Sequence, residues 1–460
     1  MATAHRGVLA ISLLAWLATA ALGQSLVQLT SNSTQSDFHP SISADGQTVA
    51  WSEFDTATRA ADHLVARAPG FVPVRLGGLP RGHQEATFRL SGDGTTIAFY
   101  QGGSIFVRST SGGAPRQITS SARLVMPNYL SLSDDGRFVG YLVYDWPNGN
   151  YDVEVLETTT QTVTTIVTAS ASWGWASFGI AGDGNTLVLT DGQPLWEIWQ
   201  FGISGGRLRR LASMAPLAVF FPTFDRRGTR CAFEAGATAA GFSLHAVTTA
   251  GTLATLAAPV GRRRAPIVSG NGDRVLWGDG DLWWAYADGG AARNVTGLNA
   301  AASGLSLGSA VSEDGSLAVL SSRLDPLGTN PEGDFELFLW RDALSSPGPA
   351  WPGTTVSFRI DVPKAPGASY IARVAFGRTG GPVLPGVGPV PLSPDALFFA
   401  SGTPGSIFRN MSGTLDGQGL GTFHVDLPAA PALSGMAFFG GAVVVGPAVT
   451  ITPAVKIVVR

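Results

Sequence analysis

Cysteine is nearly absent. Cys231 stands alone in 460 residues, so no intramolecular disulfide holds this chain together. Lysine is nearly absent too: Lys364 and Lys456 are the whole supply, and every other basic residue but histidine is an arginine. Charged residues make up 14% of the chain and the formal net charge is −3, which leaves no basic face of the kind nucleic acid requires. Histidine occurs at His5, His39, His63, His83, His245 and His424, and no two of these have metal-ligand spacing. Beyond the first two dozen residues no apolar run is long enough to span a membrane, and sustained helical periodicity is missing. What is abundant is glycine, 59 residues, set between short apolar runs.

Residues 1–23 read as a secretory leader, with Arg6 at the start, an apolar stretch Val8–Ala20, and Ala21-Leu22-Gly23 as a small-x-small cleavage site. An exported chain is the expectation, located in the periplasm, at the cell surface or outside the cell.

One pattern then recurs seven times, small-apolar-Ser-x-Asp-Gly followed by an apolar run, with Asp225-Arg226-Arg227-Gly228 and Asn271-Gly272 as degraded copies that keep the turn glycine. Clear copies are Ser41-Ile42-Ser43-Ala44-Asp45-Gly46 and Leu130-Ser131-Leu132-Ser133-Asp134-Asp135-Gly136. The glycines fall at Gly46, Gly94, Gly136, Gly184, Gly228, Gly272 and Gly315, spaced 48, 42, 48, 44, 44 and 43 residues apart. Asp-Gly between apolar runs is a hairpin signal, because glycine supplies the positive φ and aspartate bonds back to the turn. A period near 45 residues of short strands predicts four-stranded propeller blades, hence an all-β, seven-bladed β-propeller. Third strands are expected at Ser104–Arg108, Asp152–Leu156, Leu195–Phe201, Ser243–Val247, Leu282–Tyr286 and Glu336–Trp340. Blade seven lacks a fourth strand of its own, and the orphan Ser25–Thr30 is expected to complete it and close the ring.

The domain reading is a leader at 1–23, the propeller at 24–343, a Pro/Gly/Ser linker at 344–352 and a β-sandwich-like domain at 353–460. In the last, strands are expected at Thr354–Val362, Ser369–Phe376, Ala396–Phe399, Gly421–Leu427, Ser434–Phe439 and Val449–Val459.

The seven turns, with Pro40, Pro222 and Pro266 each six residues before a turn glycine, resemble the WD40-like repeats of TolB-type propellers. So does Asn330-Pro331-Glu332-Gly333-Asp334-Phe335-Glu336. The resemblance covers roughly 25–343 and implies an exported propeller binding other proteins through loops at one mouth of its channel. Pro391-Leu392-Ser393-Pro394-Asp395, Leu415-Asp416-Gly417 and Leu433-Ser434-Gly435 resemble a C-terminal β domain of exported planctomycete-type bacterial proteins. That resemblance implies no activity.

Catalytic patterns are weak. Gly304-Leu305-Ser306-Leu307-Gly308 matches a nucleophile pattern but lacks the strand–turn–helix context that chemistry needs. The repeated aspartates are too regular for a glycosidase pair. Asp279-Gly280-Asp281 beside Asp273, and Asp325–Asp334, could offer oxygen ligands to calcium, but neither carries a full EF-hand loop and both read as solvated turns. No catalytic residue, metal site or cofactor is therefore assigned.

The segments entering the inner strands carry aromatics and arginine, the residue types of binding hot spots. The candidate site is His39, His83, Tyr129, Trp173, Trp175, Phe220, Phe221, Arg263 and Arg264, converging on one mouth of the ring. The expected function is non-catalytic recognition of a protein or glycan there. A lyase or hydrolase working in the channel, and a structural spacer with a surface-attachment tail, are the alternatives.

Overall fold

The structure is a computed structural model. It describes residues 25–459 except 32–34, 56, 59, 78–87, 120–123, 146–147, 171–177, 192–196, 205, 215–216, 238–240, 261–265, 279–281, 291, 296–304, 324–326, 328, 347–349, 385–387 and 404–406. The expected leader lies outside the described residues.

Seven four-stranded antiparallel sheets follow one another, as the repeat predicts. Their inner strands are Gln35–Ile42, Phe88–Leu90, Leu124–Leu132, Phe178–Ile180, Ala218–Phe224, Ile267–Val268 and Leu305–Val311. We number the blades one to seven in that order. Each inner strand packs on the next, and the last packs on the first, so the sheets form a closed ring.

The ring is closed by the N-terminal strand. Ser25–Gln28 pairs antiparallel with Glu336–Arg341 of blade seven, Ser25 opposite Arg341 and Gln28 opposite Phe338. Blade seven is thus built from both ends of the propeller, and its open edge is covered.

The repeated tetrapeptide is a closed hydrogen-bonding unit. In blade one, Ser43 Oγ donates to Asp45 Oδ1 at 2.6 Å, Asp45 accepts from Gln47 N–H at 2.9 Å, and Thr48 N–H donates to Ser43 Oγ at 2.9 Å. The seven glycines have φ between 63° and 74°, a region where a side chain is strained. In blade five the serine is replaced by Asp225, whose carboxylate accepts from both Thr229 N–H at 2.7 Å and Arg230 N–H at 2.9 Å. One aspartate there does the work of the serine and the aspartate together. Apolar clusters fill the spaces between neighbouring blades, centred on Trp51, Phe99, Leu189, Phe233, Trp277 and Trp340.

Residues beyond 343 form two further sheets. One holds Leu344–Ser345, Thr355–Asp361, Leu420–Asp426 and Phe408–Arg409; the other holds Ser412–Thr414, Ser369–Ala375, Ala437–Val445, Val449–Ile451 and Val455–Val458. Their facing side chains make one core, in which Phe358 and Phe423 stack at 4.6 Å. The segment expected as a linker therefore opens with a strand of this domain.

Ala396–Phe399, expected as a strand, lies in a short α-helix, Ala396–Ala400. Asp395 caps it, accepting from Phe398 N–H at 3.0 Å, and local capping outweighs the β preference of the two phenylalanines. The expected strand Ser434–Phe439 starts only at Ala437, after a 3₁₀ turn at Pro431–Leu433. No helix among the described residues is long and apolar enough to cross a membrane.

The C-terminal domain is locked to blades six and seven. Arg274 and Asp342 form a fully buried ion pair at 2.6 Å, and Arg274 also donates to the carbonyl of Ala454 at 3.1 Å. Arg378 lies over the Tyr286 ring, 3.6 Å from its centroid, and pairs with Asp273 at 2.9 Å and with Asp288.

Candidate functional site: a channel closed at one end

Each inner strand runs from its entry segment to its Asp-Gly turn, so the entry segments and the turns lie at opposite ends of the channel. The turn end is knitted shut. Backbone N–H groups pass round the ring from Ala44 to Gly92 O, Asp93 to Asp134 O, Asp134 to Gly182 O, Gly182 to Arg226 O, Arg226 to Gly270 O, Asn271 to Glu313 O, and Glu313 back to Ala44 O. All seven blade junctions carry such a bond, at 2.5 to 3.0 Å.

The residues at the variable position of the repeat converge here: Ala44, Gly92, Asp134, Gly182, Arg226, Gly270 and Glu313. Arg226 of blade five pairs with Asp134 of blade three and approaches Glu313 of blade seven at 3.4 Å. A residue that reaches blades on both sides, skipping its immediate neighbours, must lie across the channel.

The glycines of blades two, four and six make the room. A methyl group on Gly92 would stand 2.1 Å from the Arg226 guanidinium, one on Gly182 2.2 Å from the Asp134 carboxylate, and one on Gly270 2.1 Å from Glu313 Oε2. Gly182 needs no positive φ, so its only requirement is space. Gly182→Ala should therefore lose about 1–3 kcal/mol of stability by overpacking. Gly206→Ala is the wrong control, since its φ is +91°; Gly417→Ala, with open space around it, should be nearly neutral. Equal urea midpoints for Gly182→Ala and Gly417→Ala would refute the cross-channel plug.

At the other end, blades one, three, five and seven each carry a register shift in the inner strand. Their inner strands are seven to nine residues long, and the register shifts between Phe38 and Ser41, Val125 and Leu130, Phe220 and Thr223, and Leu305 and Ser309. A shift of this kind re-aims side chains at a strand end.

His39, Tyr129, Phe220 and Phe221, expected on entry loops, thus sit on bulged inner strands. His39 is half-buried with φ +51°, and burial together with Arg89 holds its imidazole down at about 4, so it is neutral at pH 7. Tyr129 is half-buried against the core between blades three and four, beside Met126, and burial pushes its phenol up. Only the backbone of Phe220 and Phe221 is described. His83, Trp173, Trp175, Arg263 and Arg264 lie outside the described residues.

Sequence reasoning passed over Arg89. It is exposed on the inner strand of blade two, between buried Phe88 and Leu90, and no carboxylate among the described residues pairs with it. It passed over Arg226, Asp134 and Glu313 as well. The signal for these was the alternation of glycine with a charged residue from Gly92 to Glu313. Among the described residues no group of three or more His, Cys, Asp or Glu is placed to hold a metal ion.

No protein-family model and no curated relative matches this chain. Solved structures do. An oligogalacturonate lyase from Vibrio parahaemolyticus matches with TM-score 0.54 at 10% identity, over 69% of this chain and 93% of that one. An oligogalacturonate lyase in complex with manganese matches with TM-score 0.52 at 11% identity, over 70% and 94%. TolB from Acinetobacter baumannii matches at 16% identity over 65% of each chain, with TM-score 0.41. The fold is a β-propeller, as in the two lyases. At these identities the likeness carries the fold and no activity.

Proposed function

We propose that this protein is an exported binding protein that receives a protein or glycan at the entry-segment mouth of its propeller. The observation behind the reading is the cross-channel Arg226: with the turn end plugged, a ligand of the channel enters from the other end. The described inner strands entering from that end carry Arg89 and the neutral His39, and the sequence sets candidate aromatics and arginines in the segments that lead into the ring. A rigid ring presents such groups with little ordering cost on binding. The C-terminal domain, fixed to blades six and seven, would hold the mouth in a set orientation.

Affinity capture from envelope and exported fractions is the test, with wild-type protein and the Trp173/Trp175/Phe221→Ala variant as baits. A partner captured by wild type and lost with the folded variant is the expected result. A partner retained equally by both would remove recognition from this mouth.

The manganese-bound lyase of the same fold keeps a catalytic reading in play. Under that reading the chain degrades an acidic polysaccharide, and a panel of such polymers with and without added manganese separates it from pure binding.

A further inference from the structure

The seam that closes the ring contains two carboxylates around one hydroxyl. Thr30, just past the N-terminal strand, is buried and accepts from Leu337 N–H at 2.9 Å. Its own single proton is donated to Glu336, and the Asp37 carboxylate lies within hydrogen-bonding reach of the same oxygen. Asp37 is 0% and Glu336 1% exposed. Trp51 Nε1 donates to Asp37 at 2.8 Å, while the Asp37 backbone is held by Phe335 O and by the Ser321 hydroxyl. Blades one and seven and the closing strand therefore all meet at this point.

The charges facing it are mostly of one sign. Glu336 comes from blade seven and Glu53 from the second strand of blade one. Glu53 is engaged by Arg75 of the outer strand and lies near Asp62 of the third strand and Asp55. His39 follows two residues along on the same strand and is neutral at pH 7. Two carboxylates that share a dry site cannot both ionise without a large penalty, so the site favours keeping a proton.

We propose that the propeller seam is a proton-dependent clasp: a proton held on Asp37, across the Thr30 hydroxyl from Glu336, secures the N-terminal strand, and its loss loosens that strand. Burial, opposed by Thr30 and reinforced by Glu336, pushes Asp37 up to about 7 from an ordinary carboxylate value near 4. With a raised folded-state value, the clasp is fully secured below the unfolded value. It weakens as pH rises from about 4 to about 7 and is flat above. His39, His63 and His245 are shifted down by burial and act in the opposite direction, so the clasp must be read locally and against a variant.

Hydrogen exchange of residues 25–30 in the full chain, at pH 5 and pH 7.5 and corrected for intrinsic exchange, is the experiment. The wild-type strand should lose protection by about tenfold or more over that range, up to tenfold per pH unit. Asp37→Asn, which keeps an acceptor for Trp51 and adds a donor for Glu336, should abolish this loss while a blade-four peptide behaves alike in both proteins. Glu336→Gln removes only the lesser cause, so it should reduce the loss without abolishing it, and it serves if Asp37→Asn does not fold. Equal pH dependence of residues 25–30 in wild type and a folded variant would overturn the proposal, as would protection that rises with pH.

Discussion

Replacing Arg274 by methionine should cost about 3–5 kcal/mol, because it strands the buried Asp342 carboxylate without its cation. Neither side chain has any exposure. The guanidinium donates to Asp342 at 2.6 Å, to Gly315 O at 3.0 Å and to Ala454 O at 3.1 Å, and lies 4.7 Å over the Trp284 ring. One side chain thus joins blade six, blade seven and the C-terminal domain, so its loss should also split thermal unfolding into two transitions. Burial already pushes the Asp342 carboxyl up against the pull of Arg274. Without Arg274 the folded state will hold a proton there that the unfolded state releases, and the loss should grow as pH rises. Urea unfolding at pH 5.5 and 8 measures this, and the double variant Arg274→Met/Asp342→Leu should recover much of the stability. A loss below 1 kcal/mol with one undivided transition would mean that this pair does not hold the domains together.

His63→Leu should stabilise the protein, most of all in acid. His63 is fully buried between blades one and two, edge-on to Phe99 at 4.5 Å and tilted against Phe88 at 5.2 Å. Among the described residues neither ring nitrogen has a hydrogen-bond partner. Burial, then the Arg108 guanidinium, push its imidazole down to about 3. The unfolded chain takes up a proton near pH 6.5 while the folded chain refuses one. Stability is therefore lost as pH falls below about 6.5, at about 1.4 kcal/mol per pH unit for this group. Leucine has a similar volume and suits two phenylalanine rings. Its gain at pH 7 should be about 1–3 kcal/mol from removing the unpartnered nitrogens, and larger at pH 5. Melting temperatures of wild type and variant at pH 5 and 7.5 decide it: a constant difference would mean that His63 finds a proton partner on folding. Between about pH 4 and 6.5 this slope opposes that of Asp37, so the wild-type curve should be flatter than either variant's.

The turns were legible because their chemistry is local. Ser43, Asp45, Gly46 and Thr48 satisfy one another within six residues, and blade five remained recognisable because Asp225 restores the same bonds in one side chain. The closing strand was legible by elimination, since blade seven lacked a partner and Ser25–Gln28 had none. The helix at Ala396–Ala400 was missed because phenylalanine favours strands and the cap at Asp395 was not weighed against them. The candidate mouth was legible only as a set of residue types: His39 and Tyr129 proved to be half-buried on bulged strands, where packing against neighbouring blades decides which way they face.

By itself the sequence determined the repeat, its turn chemistry, the number of sheets and the strand that closes them, because each follows from residues near one another or from a missing partner. Tertiary structure alone decided that Arg226 would meet an aspartate 92 positions away, that Thr30 would meet Glu336 across 306, and that Arg274 would fasten a second domain. Those encounters depend on how seven sheets close into a ring, and no local pattern encodes the distance across it.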